Sequence, residues 1–213
     1  MSAVPKLVST RMPEKMSTSR SELDDLLDSQ FLAHVSLVVD GEPVIIPTLF
    51  ARDGDRILIH GSTGSGWLRA LAAGAPACVA VTEVGGIVVA RSAFESSIVY
   101  RSAVLFGVFT TAEDQVPALA VLTDHVLPGR TAEVRPSTGK ELAATMALQM
   151  PIDQWSLRTS DAWPDDPPED IAGDTWAGVV RFGPPPVTIH PDPNLRPGIP
   201  VPPSVTELST TDH

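Results

Sequence analysis

The first clear pattern of polar and hydrophobic residues along the chain predicts a helix. Ser19 and Glu22 have the spacing of a capping box, and Leu23, Leu26 and Leu27 follow at helical intervals. Leucines at this spacing lie on one face of a helix, and that face can be buried against a core. The pattern predicts a first helix that ends near Asp28.

The hydrophobic pattern then changes to that of strands. Residues 31–39 and 43–51 are rich in apolar and β-branched side chains, and Asp40-Gly41 lies between them. Asp-Gly is a favoured two-residue hairpin turn, and Asp53-Gly54 precedes a further apolar run at 56–60. We therefore predict three strands in an antiparallel meander.

The rest of the chain alternates between strands and inserted helices. The pattern predicts a short helix at 67–73, helices at 115–126 and 138–148, and strands at 76–84, 87–94, 102–112, 151–158 and 176–182. Strands 76–84 and 87–94 are expected to pair across Gly85-Gly86. Such a sheet must protect its edges, so a small closed barrel of six or seven, mainly antiparallel strands with added helices is the economical solution.

A cluster of prolines marks a domain boundary near the end of the chain. Nine of the 21 prolines fall between Pro184 and Pro203, where a helix or a central strand is excluded because proline lacks the N–H donor. We therefore expect a flexible leader at 1–16, a barrel domain at 17–183 and a proline-rich arm at 184–213.

Charge and composition narrow the function classes. The 15 basic and 26 acidic residues give a net charge of −11, which disfavours nucleic acid and anionic membranes as partners. No stretch reaches the ~18–20 apolar residues of a membrane span, and the first residues lack a signal-peptide core, so a cytoplasmic protein is expected. The single cysteine excludes an intramolecular disulfide, and the histidine spacing predicts no metal site.

The strongest local motif is the glycine-rich loop Gly61–Gly66, which lies between a predicted strand and a predicted helix. Backbone amides and hydroxyls in such a loop can bind a phosphate. The same residues also suit an ordinary turn with a serine or threonine helix cap, and the spacing matches neither a Walker A loop nor GxGxxG. Both interpretations remain open on the motif alone.

Other candidate residues are isolated. Arg101, followed by Ser102, stands where a loop is expected to enter a strand; its guanidinium suits phosphate, although such arginines are often solvated. His34, inside an apolar strand, is interpreted as a core histidine, and Cys78 as a buried apolar residue. The acidic segment 161–174 lacks the spacing of a calcium loop and is interpreted as a solvated loop.

Several separated segments together resemble the pyridoxamine 5′-phosphate oxidase-like family of FMN-binding split barrels, in the subgroup related to nitroimidazole-resistance proteins. They are HGSTGSGWLRALAAGAPACVAVTE, VVARSAFESSIVYRSAVLFG, HVLPGRTAEVRPSTGKELAAT and TWAGVV, in that order. The resemblance implies a six- to seven-stranded antiparallel split β-barrel, mainly β with added helices, and a homodimer with two FMN sites at the subunit interface. The arginine–histidine signature that binds vitamin B6 after the last tryptophan is absent.

The resemblance also implies the cofactor contacts. Ile46, Pro47 and Thr48 would lie beside the isoalloxazine ring; His60, Gly61, Ser62 and Ser65 would surround the phosphate, with Arg101 and Ser102 on the adjoining strand. Trp176 would reach the flavin of the other subunit. Many relatives place a basic residue where this chain has Gly66 and Trp67, so Arg101 is expected to be the main cation and Arg69 the reserve.

Two functions follow from this resemblance. One is a flavin-dependent oxidoreductase acting on a small molecule, in which FMN supplies the redox chemistry and no side chain need act as an acid or base. The other is a non-catalytic module of the same fold that binds a flavin, a deazaflavin or haem.

Overall fold

A computed structural model describes residues 12–183, 187–196 and 198–210. The chain in these ranges forms a short 3₁₀ turn at Pro13–Lys15, ten strands and seven helices. The strands are β1 (Met16–Ser17), β2 (Leu32–Val39), β3 (Glu42–Asp53), β4 (Arg56–Ser62), β5 (Pro76–Val89), β6 (Ser97–Val108), β7 (Thr110–Thr111), β8 (Thr145–Pro151), β9 (Gln154–Ser160) and β10 (Gly178–Arg181). The helices are α1 (Arg20–Ser29), α2 (Gly66–Ala72), α3 (Gln115–Val126), α4 (Arg130–Glu133), α5 (Gly139–Ala144), α6 (Pro168–Ile171) and α7 (Pro203–Thr210).

The strands form one antiparallel sheet in the order β1-β9-β6-β5-β2-β3-β4-β8-β7, and β10 pairs with β5. The sheet curves without closing, which confirms the predicted antiparallel split barrel. It contains more strands than the six or seven expected, because β1, β7 and β10 are short edge pieces that local sequence patterns do not reveal.

The main core lies on the face of the sheet against which α1 and α2 pack. The leucines of α1 that follow the Ser19 cap are all fully buried there: Leu23, Leu26 and Leu27. The Ser19 hydroxyl accepts a hydrogen bond from the Glu22 amide, as the capping-box spacing predicted. A second, smaller cluster lies on the opposite side of the sheet, where Ala118 and Leu122 of α3 cover Leu58 of β4.

The Asp40-Gly41 hairpin is confirmed in its backbone conformation. Both residues have positive φ, 53° and 84°, and the turn joins β2 to β3 in register. Positive φ at both central positions is the requirement of the tight hairpin turn that Asp-Gly favours.

The predicted hairpin at Gly85-Gly86 is wrong. Residues 76–89 form one continuous strand, β5, which pairs with β6 and has an irregular register between Val84 and Gly86. Glycine permits this bulge in a strand. A Cβ atom on Gly86 would lie 2.3 Å from the carbonyl oxygen of Val180, so glycine is also required for β10 to approach.

Three other boundaries also differ from prediction. The helix expected at 138–148 ends at Ala144, because β8 begins at Thr145 and fills the place between β4 and β7. The strand expected at 102–112 starts already at Ser97, so Arg101 lies inside β6. The strand expected at 151–158 is instead the end of β8 and, after a break, β9.

The prediction that the proline-rich arm lacks helices and strands is confirmed only in part. The described residues between 187 and 202 form neither helix nor strand, but Pro203 begins helix α7, which was not predicted. Most of the predicted leader, residues 1–11, and residues 184–186, 197 and 211–213 lie outside the described ranges. None of the helices in the described ranges is long and apolar enough to span a bilayer.

Candidate functional site

The glycine-rich loop connects β4 to α2, as predicted, and its amides are largely engaged within the protein. Ser62 closes the turn: its carbonyl accepts from the Ser65 amide at 2.9 Å and its hydroxyl from the Gly64 amide at 3.1 Å. The Thr63 amide donates to the Ala144 carbonyl at 3.0 Å. Ser65 is the N-cap residue of α2, but its side chain makes no capping hydrogen bond. The loop backbone is therefore preformed, and its free polar groups are mainly side chains.

Arg69 is the cation that contacts this loop. Its Nη1 atom donates to the carbonyl of Gly64 at 2.8 Å and to that of Thr63 at 3.3 Å. Both partners are neutral, so the positive charge of the guanidinium is not cancelled by these contacts. The exposed side chain of Arg69 thus places a full charge beside Gly61–Gly66.

Arg101 lies elsewhere in the sheet. Its Nε atom donates to the carboxylate of Glu83 at 2.5 Å, and Nη2 lies 3.5 Å from the Ser29 hydroxyl at the end of α1. β6, which carries Arg101 and Ser102, is separated from β4 by three strands in the sheet order. The structure therefore brings Arg69 to the glycine loop, whereas Arg101 is paired with an acid near α1.

His60, the last residue before Gly61, lines a cavity between β4 and α3. The cavity has a volume of about 220 Å³, and its other lining residues are Leu49, Leu119, Leu122, Thr123, Ser137 and Thr145. The Nδ1 atom of His60 is buried and has no hydrogen-bond partner among the described residues. Burial lowers the pKa of His60 below its ordinary value of 6.5, so the imidazole is neutral at pH 7. A neutral ring nitrogen without a partner can bind a metal centre or a polar ligand.

An exposed apolar face adjoins this cavity. On the face of the sheet opposite the main core, Leu32 and Val38 of β2 and Ile45 of β3 are 51%, 62% and 63% exposed. Leu32 pairs with Leu49 of β3. By the β3–β4 register, in which Phe50 pairs with Ile59, Leu49 lies opposite His60. A continuous strip therefore leads from the exposed face to the cavity.

The flavin-ring candidates lie along this part of β3. Pro47 is exposed on the apolar face, opposite His34 of β2. Ile46 and Thr48 alternate with it and are half-buried on the other side of the strand. His34 is exposed, so its interpretation as a core histidine is wrong: its position in the alternation of β2 faces outward. Cys78 is half-buried on the neighbouring strand β5, and burial raises its pKa.

Trp176 lies just before β10 and is 66% exposed. A Cβ atom on Gly178 would lie 3.0 Å from its indole ring, so the ring folds back over that glycine. A large exposed indole held beside a strand is available to a second molecule. The described residues of this chain leave most of its surface uncovered.

The structure adds residues that sequence reasoning missed. The cavity wall facing His60 comes from α3, chiefly Leu119, Leu122 and Thr123. The helix itself was predicted with the observed bounds, but nothing in its sequence indicates that it packs over β4. No group of three or more histidine, cysteine or acidic side chains able to hold a metal ion occurs within the described ranges.

Two solved structures match most of this chain. The FAD and haem binding protein from Mycobacterium smegmatis is 56% identical, with a TM-score of 0.89, over 92% of this chain and 97% of its own. The flavocytochrome Anf3 from Azotobacter vinelandii is 30% identical, with a TM-score of 0.87, over 95% of this chain and 98% of its own.

More distant matches share the fold alone. A structure from Bacteroides thetaiotaomicron, provisionally assigned to 5-nitroimidazole antibiotic resistance, is 17% identical with a TM-score of 0.56, over 67% of this chain and 84% of its own. No protein of curated function matches. The family model described as pyridoxamine 5′-phosphate oxidase matches residues 19–159, which is more than half of the sequence. This chain therefore belongs to the pyridoxamine 5′-phosphate oxidase family.

Proposed function

We propose that this protein is a homodimeric redox protein that binds a flavin and a haem, and that His60 is a ligand of the haem iron. The observation that carries the proposal is the buried Nδ1 atom of His60, which has no partner among the described residues. The same imidazole lines a cavity together with three leucines and with Thr123, Ser137 and Thr145. A buried polar atom normally has a partner, so one without a partner suggests that an absent group completes the site.

The residues present fit a haem. A haem iron can be bound by a neutral imidazole nitrogen, and the low pKa of His60 keeps its ring unprotonated at pH 7. Leu49, Leu119 and Leu122 would supply apolar contacts to the macrocycle. The cavity volume of about 220 Å³ is smaller than a haem, so the macrocycle would extend from His60 over the exposed apolar face at Leu32 and Ile45. The 56% identical relative from Mycobacterium smegmatis is described as binding both FAD and haem, which supports the same pair here.

The flavin is expected at the glycine loop and the neighbouring part of β3. Arg69 would offset the charge of its phosphate, with Ser62 and Ser65 as hydroxyl partners; Pro47 would flank the ring system, as the family resemblance implies. We infer FAD rather than FMN, because the 56% identical relative is described as FAD-binding. When bound, a flavin exchanges two electrons or one and a haem iron exchanges one, so together they support electron transfer.

A second copy of the chain would complete both sites. The exposed strip from Ile45 through Leu32 to the His60 cavity leaves one side of the proposed cofactor cleft uncovered. An isologous interface on this face would supply that wall and also cover the exposed apolar side chains. Trp176, exposed in one protomer, is available to contact the flavin of its partner.

The test is the absorption spectrum of the purified protein, which should show both a flavin band and a Soret band. His60→Ala should remove the Soret band and keep the flavin band, whereas His190→Ala, which changes an exposed histidine of the arm, should keep both. An undiminished Soret band in His60→Ala, or a protein without either band, would refute the proposal. Phosphodiesterase treatment of the released flavin distinguishes FAD, whose fluorescence rises on cleavage, from FMN.

Catalytic turnover is a separate part of the proposal. A flavin-dependent oxidoreductase should lose its flavin band when a reduced nicotinamide is added without oxygen and regain it when an electron acceptor follows. A spectrum unchanged by every donor tried would favour the alternative of a non-catalytic binding module. This measurement needs only the loaded parent protein.

A further inference from the structure

A second cavity shares the lining residue Thr145 with the His60 cavity. It has a volume of about 230 Å³ and is lined by Thr63, Thr111, Gln115, Thr145, Met146 and Ala147. None of these side chains carries a charge, and four of them are polar. The volume is below the ~300 Å³ at which pockets for drug-sized ligands begin, so the cavity suits a molecule about the size of one ring.

Gln115 presents only an acceptor to this cavity. Its Nε2 atom donates to the carbonyl of Leu142 at 2.9 Å and to that of Thr145 at 2.6 Å. A carboxamide has two N–H groups, and both are used by these carbonyls. The Oε1 atom receives no hydrogen bond from the described residues and is not enclosed by them. The two bonds to the backbone also fix the orientation of the amide.

Two of the threonine hydroxyls, like Gln115, use their hydrogen-bond donors on backbone carbonyls. Thr145 Oγ1 donates to the carbonyl of Glu141 at 2.9 Å, and Thr63 Oγ1 donates to that of Ala144 at 3.3 Å. A hydroxyl has one proton, so each of these oxygens can offer only lone pairs to a ligand. The backbone of Thr111 pairs with β8, but its hydroxyl makes no hydrogen bond to the described residues and can donate or accept. Three of the four polar groups of the cavity are therefore acceptors.

We propose that this cavity binds a small uncharged molecule that carries N–H donors, such as a primary amide, and that it rejects carboxylates and phosphates. An amide brings two donors to acceptors that are already oriented. A carboxylate of the same shape would place its lone pairs against theirs and leave the acceptors unpaired. This proposal goes beyond the proposed function, because it concerns a ligand other than the cofactors.

The discrimination can be measured with a pair of molecules of equal shape, benzamide and benzoate, titrated calorimetrically into the full-length protein with its cofactors bound. We expect benzamide to bind at least ~10-fold more tightly than benzoate, since one hydrogen bond to an otherwise unpaired acceptor is worth about that factor. No binding of benzamide, or equal binding of benzoate, overturns the proposal.

Matched variants locate the binding. Thr63→Val removes one acceptor hydroxyl while the Thr63 amide keeps its bond to Ala144, so benzamide binding should weaken severalfold. Thr63→Ser should restore it, and Thr110→Val, a neighbour outside the cavity, should have no effect. Unchanged affinity in Thr63→Val overturns the assignment. The absorption spectrum of the same samples reports the cofactors independently: if benzamide displaces them, the cavity is part of the cofactor site and the proposal fails.

Discussion

The carboxylate of Glu133 accepts two hydrogen bonds from Ser204, one from the backbone amide at 3.0 Å and one from the hydroxyl at 2.5 Å. Ser204 belongs to the first turn of α7 and is 2% exposed. A side chain from α4 thus caps a helix that follows 71 residues later. Negative charge at a helix N-terminus is favourable, so this contact fixes the end of the proline-rich arm to the body of the protein.

Removing the Glu133 carboxylate should release α7. In Glu133→Gln we expect faster hydrogen exchange in residues 203–210 and unchanged exchange in the barrel, because an amide oxygen is a weaker cap than a carboxylate. The hydrogen bonds from Ser204 lower the pKa of Glu133 below its ordinary value of 4.5. The contact is therefore complete above pH 4.5 and is lost as the pH falls through the lowered pKa.

Hydrogen exchange measured by mass spectrometry from pH 7 downward checks both expectations. Glu169→Gln, in the exposed loop helix α6, is the matched control and should leave α7 protected. Protection of residues 203–210 that is equal in Glu133→Gln and the parent would show that other contacts hold the helix.

Two aspartates of the acidic loop should differ sharply in their effect on stability. The Asp166 side chain is 1% exposed and accepts from the Arg91 amide and from Nη1, each at 2.9 Å. Asp161 pairs with Arg181 at the surface, where both side chains are about 60% exposed. Asp166→Ala should lower the free energy of unfolding by about 2–3 kcal/mol, and Asp161→Ala by no more than about 1 kcal/mol. Equal urea midpoints for the two variants would contradict this assignment.

Gly86→Ala should displace β10. Its new Cβ atom would lie 2.3 Å from the carbonyl oxygen of Val180, a backbone atom that cannot move without breaking the β5–β10 pairing. Forced overpacking of this kind costs about 1–3 kcal/mol of the free energy of unfolding. Gly139→Ala, where a Cβ atom meets nothing within 4 Å, is the control. Thermal unfolding compares the three proteins, and a melting temperature in Gly86→Ala equal to that of the parent would mean that β10 is not held as described.

The sequence predicts best where the signal is local. The Ser19 cap, the Asp40-Gly41 turn and the bounds of α3 all depend on neighbouring residues, and the structure confirms each one. Gly85-Gly86 shows the limit: a glycine pair can make a turn or a bulge, and the choice depends on β10, about 90 residues later.

Which residues meet at the candidate site depends on how the strands pair in the sheet, and this register cannot be read from the sequence. Glu83 is 18 residues from Arg101 and becomes its partner only because β5 and β6 pair in one register. His34 faces outward for the same reason, since shifting a strand by one residue exchanges its two faces. His60 was identified from its place before the glycine loop, but its buried nitrogen became visible only once α3 had been placed over β4.

Replacing Arg69 should weaken flavin binding more than replacing Arg101, although the sequence analysis expected Arg101 to be the main cation. Arg69 contacts the glycine loop, and losing a charge-assisted bond to phosphate should weaken flavin binding roughly 10- to 100-fold in Arg69→Ala. Arg101 is engaged by Glu83, so Arg101→Ala should leave flavin affinity unchanged and cost at most about 1 kcal/mol of stability, since both side chains are about one-third exposed. Titration by flavin fluorescence decides; a larger loss in Arg101→Ala would restore the original order.

Ile45 tests the proposed dimer. It is 63% exposed in the chain alone and lies on the apolar face that continues to the His60 cavity. If a second copy covers this face, Ile45→Glu buries an unpaired carboxylate in the interface, which costs several kcal/mol and should raise the dimer dissociation constant more than ~100-fold.

Light scattering at micromolar concentration should then give the monomer mass of 22.6 kDa for Ile45→Glu and twice that mass for the parent. Ile171→Glu changes an isoleucine of α6 that is 55% exposed and should remain dimeric. Since the same face borders the cofactor cleft, monomeric Ile45→Glu should also hold less flavin and haem; a fully loaded monomer would separate cofactor binding from dimerisation.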